Sequence, residues 1–93
     1  MSIAEIKERA VPVLSRYGAV EAYLFGSAAR GEDQPGSDVD ILVKFKELKG
    51  LFEHIQAKFD LEDALGRKVD LVAMEALRKE MKSSVDKDKV RIL

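Results

Sequence analysis

The segment Asp38-Val39-Asp40-Ile41-Leu42-Val43 admits few folds. Its branched and apolar residues call for a strand, yet aspartate is depleted in strands. Side chains alternate along a strand, so Val39, Ile41 and Val43 face one way while Asp38, Asp40 and Leu42 face the other. One face therefore belongs to a core. The other holds two carboxylates side by side, a costly arrangement unless something uses them. Upstream, Tyr23-Leu24-Phe25 runs into Gly26-Ser27, so a small-residue turn precedes the acids by ten residues.

The flanking sequence supplies the rest of a sheet and its helices. Ser2-Ile3-Ala4-Glu5 reads as a capping box, and Ile3, Ile6, Ala10, Val13, Leu14 and Tyr17 then recur at helical spacing. Pro12 is expected to kink that helix and Gly18 to end it. Val20 to Phe25 predicts a strand. Residues 28–37 read as a short helical turn and a loop, with Pro35-Gly36 as a turn signal. Asp38 to Phe45 is the second strand. Leu48 to Leu65 predicts a long helix, with Leu48, Phe52, Ile55, Phe59 and Leu65 along a stripe and Gly66 as its C-cap. Lys68 to Ala73 is the third strand, Val69 and Leu71 on one face and Asp70 on the other. Glu75 to Lys82 predicts a short helix, residues 83–89 a polar linker, and residues 90–93 a last strand or a docking tail. A helix between the second and third strands makes a crossover. The expectation is an α/β (α+β) fold with a mixed sheet, in one domain over residues 1–93.

Composition narrows the function classes. With 46% hydrophobic and 35% charged residues, the chain fits a soluble globular protein. A net charge of −1 gives no electrostatic basis for binding nucleic acid directly. The chain has no cysteine, which excludes disulfides and thiolate metal sites and suits a reducing compartment. No apolar run reaches the ~18–20 residues of a membrane span, and the N-terminal segment is amphipathic, unlike a signal peptide. A cytoplasmic location is expected.

If the second and third strands are neighbours, Asp38, Asp40 and Asp70 share a face. Carboxylates at close range repel, and one would be driven to keep its proton. Divalent cations relieve that conflict; Mg²⁺ takes oxygen ligands, commonly one or two carboxylates with waters and substrate phosphates. Two ions bridged by Asp38 and Asp40 would suit in-line phosphoryl chemistry. Asp70 would serve as ligand or as general base for an incoming hydroxyl. Gly26 allows close backbone approach, Ser27 adds a hydroxyl, and the helical start after it offers N–H groups to a phosphate. Arg30 reads as a surface or loop-anchoring residue, with a functional role as the alternative. Lys68 reads as a neutralising neighbour of the acids, His54 as a surface or partly packed residue, and Tyr17 and Tyr23 as core residues.

Gly26-Ser27, Ala29-Arg30-Gly31, Ser37-Asp38-Val39-Asp40-Ile41 and Val69-Asp70-Leu71 together resemble the DNA polymerase β-type nucleotidyltransferase superfamily, and within it the minimal nucleotidyltransferases (MNT) that are the antitoxins of HEPN–MNT toxin–antitoxin pairs. The resemblance covers roughly residues 3–80. It implies a small mixed sheet with helices packed mainly on one face. It implies transfer of AMP from ATP to a hydroxyl with two Mg²⁺ ions. Asp38, Asp40 and Asp70 would be the catalytic acids and metal ligands, and Gly26, Ser27, Arg30 and Ser37 would bind nucleotide. The implied partner is a HEPN-type helical ribonuclease toxin modified on a tyrosine. The residues themselves leave two other readings open, a binding antitoxin without catalysis and a small-molecule nucleotidyltransferase of the aminoglycoside type. The sheet and helices use nearly all 93 residues, so an acceptor pocket would come from a partner or a homo-oligomer. Leu77, Met81, Val90, Ile92 and Leu93 are candidate partner contacts or ordinary core and tail residues.

Overall fold

The computed structural model describes residues 1–31, 36–47 and 50–93. Pro35 of the expected turn and Leu48 of the expected stripe lie outside the described residues. The order is α1 (Ile3–Arg16), β1 (Ala19–Phe25), a single turn α2 (Gly26–Ala29), β2 (Val39–Phe45), α3 (Leu51–Leu65), β3 (Val69–Ala73), a 3₁₀ turn at Met74–Ala76, α4 (Lys79–Asp88) and β4 (Val90–Arg91). The strands form one mixed sheet in the order β3-β2-β1-β4. β1 is antiparallel to β2 and β4, while β2 and β3 run parallel across the α3 crossover.

Alternation in the strands decides which face is which. Ala22 and Leu24 of β1, Val39, Ile41 and Val43 of β2, and Val69 and Leu71 of β3 are buried. They meet Ile6, Ala10, Val13 and Leu14 of α1 and Ala57, Leu61 and Leu65 of α3 in one core cluster. The two long helices thus cover one face, and the acids are left on the other.

α1 starts at the expected capping box: Glu5 N donates to Ser2 Oγ (3.1 Å) and Ser2 N donates to Glu5 Oε1 (3.2 Å). It continues through Pro12, where an interruption is expected. A proline inside a helix costs about 3 kcal/mol, and burial of Ala10, Val13 and Leu14 on either side of it holds the last turn on the sheet.

α3 turns a different side inward than the predicted stripe. Of that stripe's described residues only Leu65 is buried; Phe52 is 82% and Phe59 52% exposed. Polar ties fix the rotation. Tyr17 Oη donates to Asp60, Val69 N donates to Glu62 Oε2 (3.0 Å), and His54 Nε2 lies 2.7 Å from the Leu71 carbonyl oxygen and donates to it. Ala57 is small enough to bring the helix close to its neighbours. Gly66 ends α3 in the left-handed region (φ 67°), as the sequence implies.

The C-terminal region differs most from expectation. The helix predicted over 75–82 lies later, at Lys79–Asp88, so the expected linker is helical. Val85, 5% exposed, anchors it, and the polar residues that suggest a linker are its solvent side. The tail is a strand: Val90 and Arg91 pair with Leu24 and Tyr23, and Ala22 exchanges backbone bonds with Ile92 and Leu93 at 2.9–3.2 Å. Ile92 and Leu93 join the core cluster, so they serve the fold. Met81, 50% exposed, remains available. No helix among the described residues is long and apolar enough to cross a membrane.

Leu61→Ala is expected to cost about 2–5 kcal/mol of stability. Phe52→Ala, on the outer side of the same helix, should change it by less than about 0.5 kcal/mol. Urea unfolding in dilute solution measures both; equal losses would contradict the assigned rotation of α3.

Candidate active site

β2 and β3 align so that Asp40 stands level with Asp70, while on its other side Asp40 stands level with Phe25 of β1. Asp38 lies two residues earlier on the same face, just ahead of β2. Asp38 and Asp70 are exposed and Asp40 is partly buried. Burial pushes the Asp40 carboxyl above its ordinary range; the Asp70 and Asp38 carboxylates push it further, and Arg30 opposes them. The expected sharing of one face by three acids is therefore present.

The Gly26 turn abuts this group. Gly26 has φ 67° and no side chain, and a Cβ there would overlap Asp40 Oδ2. The glycine lets the turn after β1 and the acid strand touch. Ser27 follows in α2, partly buried. Arg30 caps that turn, its N–H donating to the Gly26 carbonyl (3.3 Å). Its guanidinium reaches across to α4, where Nη1 lies 3.2 Å from Asp88 Oδ2. Between α2 and α4 lies a cleft of about 250 Å³, lined by Phe25, Gly26, Arg30, Met81, Val85 and Asp88 among others.

Ser37 is placed apart from that cleft. It borders a second hollow with Gly36, Gly66, Arg67 and Lys68, and its carbonyl accepts a hydrogen bond from the Arg67 guanidinium. Val39 N donates to the Lys68 carbonyl (2.9 Å). These two bonds clamp the start of β2 and so position Asp38. Arg67 and the α4 contribution, Asp88 above all, are absent from the sequence reading. Arg67 follows a helix-capping glycine in no recognisable motif, and Asp88 sits in a stretch that reads as linker.

The donor set is made of hard carboxylate oxygens, one of them raised by burial and then by its acidic neighbours, and oxygen donors of this kind fit a Mg²⁺-type cation. Among the described residues no group of three or more acidic or histidine side chains is arranged so that it could hold a metal ion.

The nucleotidyltransferase domain family matches residues 6–93. The chain belongs to that family. A provisionally named protein adenylyltransferase of Methanocaldococcus jannaschii is 38% identical over 93 residues, covering all of both chains. Protein adenylyltransferase MntA of Thermococcus cleftensis is 40% identical over 77 residues, covering 83% of this chain and 78% of its own. Among solved structures, a minimal nucleotidyltransferase is 34% identical with a TM-score of 0.82, covering 97% of this chain and 95% of that one. A toxin–antitoxin complex with AMP-PNP superposes at 0.84 and 22% identity over 94% of this chain and 72% of that one. A tri-AMPylated Shewanella oneidensis HEPN toxin with its MNT antitoxin superposes at 0.76 and 20% identity over 95% and 69%. The last two support the fold. As a nucleotidyltransferase, the chain is an enzyme whose minimal mixed sheet matches the expected polymerase β-like architecture.

Because the Asp40 pKa is raised in the folded protein, its ionised form costs stability. The cost is absent at low pH, where both states are protonated. It grows above the ordinary value of 3.8 and is complete above the raised folded value. In chelator-treated, metal-free buffer, Asp40→Asn should therefore raise Tm at pH 7, and the gain should fade as pH is lowered toward 3.8. Melting curves across that range check it, and a pH-independent difference would contradict the cause assigned. Gly26→Ala should cost about 1–2 kcal/mol from the left-handed backbone alone, with further loss from displacement of Asp40; urea unfolding reads the sum.

Proposed function

We propose that this nucleotidyltransferase moves AMP from ATP to a hydroxyl of a partner protein, a tyrosine of a HEPN-type toxin, and so acts as its antitoxin. The observation that carries this is the level pairing of Asp40 with Asp70 beside Asp38, with the Gly26-Ser27 turn against Asp40. The naming of the relatives as protein adenylyltransferases supports the adenylyl group and the protein acceptor. The toxin–antitoxin assemblies with AMP-PNP and with an AMPylated toxin support the nucleotide and the partner class.

In this reading Asp38, Asp40 and Asp70 would hold Mg²⁺, which supplies charge neutralisation and orientation for the triphosphate. Gly26 and Ser27 receive phosphate oxygens, and Arg30 adds a positive charge at the mouth of the α2–α4 cleft. The acceptor oxygen attacks the α-phosphorus. A new oxygen–phosphorus bond forms as the bond to the β-phosphate bridging oxygen breaks, and pyrophosphate leaves. Asp70, exposed at the strand edge, takes the hydroxyl proton. The α2–α4 cleft has room for part of a nucleoside, while the acids lie open to solvent where a protein hydroxyl can approach.

Incubation with labelled ATP, Mg²⁺ and the co-expressed helical partner should label the partner on tyrosine and release pyrophosphate. Asp70→Asn should slow transfer by ~10²–10⁴-fold, and Asp38→Asn or Asp40→Asn should abolish it while leaving the fold intact. Undiminished transfer in Asp40→Asn, or neutralisation of the toxin with no label on it, would overturn the catalytic reading.

A further inference from the structure

The outer side of α3 carries an apolar stripe that the fold leaves uncovered. Leu51, Phe52, Ile55 and Phe59 are 76, 82, 40 and 52% exposed. Phe52, Ile55 and Phe59 follow one another at spacings of three and four, the repeat of a helix–helix seam. The four side chains together expose on the order of 500 Å², at the upper end of the ~300–600 Å² largest patches seen on monomers. The hydrogen bonds of Asp60, Glu62 and His54 turn this stripe outward. Its exposure is therefore a consequence of how the helix is fastened.

We infer that this stripe is a self-association surface on which a second copy of the chain packs its own α3 about a two-fold axis. The area is sufficient for a second copy. Two such stripes with their flanking atoms bury about 1,000 Å², the threshold for a specific interface, and an isologous contact needs no other complementary surface. The charge pattern agrees. The four stripe residues carry no charge; Lys58 beside them pairs with Glu62 at 3.3 Å and lies 5.2 Å over the Phe59 ring, and the exposed Asp63, one turn beyond Phe59, marks the end of the stripe. Strand addition is a poor competitor, because the outer edge of β3 is already engaged by α3: Glu62 takes the Val69 N–H and His54 the Leu71 carbonyl.

Position separates the second copy from the acceptor protein. The stripe is on the helix layer, and the acids are on the opposite face of the sheet. A partner presenting a hydroxyl to Asp70 approaches the acid face, whereas a second copy on α3 leaves both active sites open and pointing away from each other.

Sedimentation equilibrium of the isolated chain from micromolar to near-millimolar concentration tests this. The expected result is a mass rising from 10.4 kDa to twice that value for the wild type. Phe52→Asp should stay at the single-chain mass with unchanged circular dichroism and melting temperature at low concentration. A wild type that stays monomeric throughout, or a Phe52→Asp variant that associates equally well, would overturn the inference. So would a monomeric chain whose binding to a helical toxin is abolished by Phe52→Asp, which would assign the stripe to that partner. Loss of AMP transfer in an Asp40→Asn control leaves the association unchanged, so this inference and the catalytic proposal fail separately.

Discussion

Asp40 and Asp70 face each other across a parallel ladder, and the rest of the molecule is arranged so that they can. Two carboxylates at one level of a sheet repel, and burial of Asp40 adds to the cost. The fold bears this cost because the opposite face of the same strands is an uninterrupted core. Val39, Ile41, Val69 and Leu71 alternate with the acids and are buried under α1 and α3. Each acid is thus fixed to a backbone that the core holds in register.

Two close approaches complete the arrangement. Gly26 brings the turn after β1 against Asp40, where any side chain would collide. Arg67 and the Lys68 carbonyl tie down the start of β2. α4 closes the side beyond α2, linked through the Arg30–Asp88 pair. With side chains 44% and 28% exposed, that pair contributes little stability; its effect is to set where Arg30 points.

The sheet and the acids are legible in the sequence because period-two alternation in β2 and β3 is unambiguous. That alternation puts Asp38 and Asp40 on one face of β2 and Asp70 opposite the core residues of β3, and the pairing of the two strands brings the three acids together. The rotation of α3 is not legible. Its most conspicuous apolar stripe faces solvent, because tertiary hydrogen bonds from Asp60, Glu62 and His54 outweigh the pattern. The place of α4 is hidden for a related reason. A single buried valine, Val85, holds a helix whose other residues are polar, and a one-residue anchor leaves no periodic signal. Arg67 acts through a backbone carbonyl thirty residues away in the chain, an interaction that no local pattern encodes.

If the acid face of β2 and β3 is the seat of a metal-bound nucleotide, its aspartates must respond to metal and nucleotide together. Carboxyl-carbon NMR tests this most directly, with and without Mg²⁺ and a non-hydrolysable ATP analogue. Asp40 is expected to titrate above the ordinary 3.8 in the free protein. Adding metal and nucleotide should lower that titration and shift the Asp38, Asp40 and Asp70 resonances together. An ordinary Asp40 titration, with the three resonances unmoved by metal and nucleotide, would contradict it.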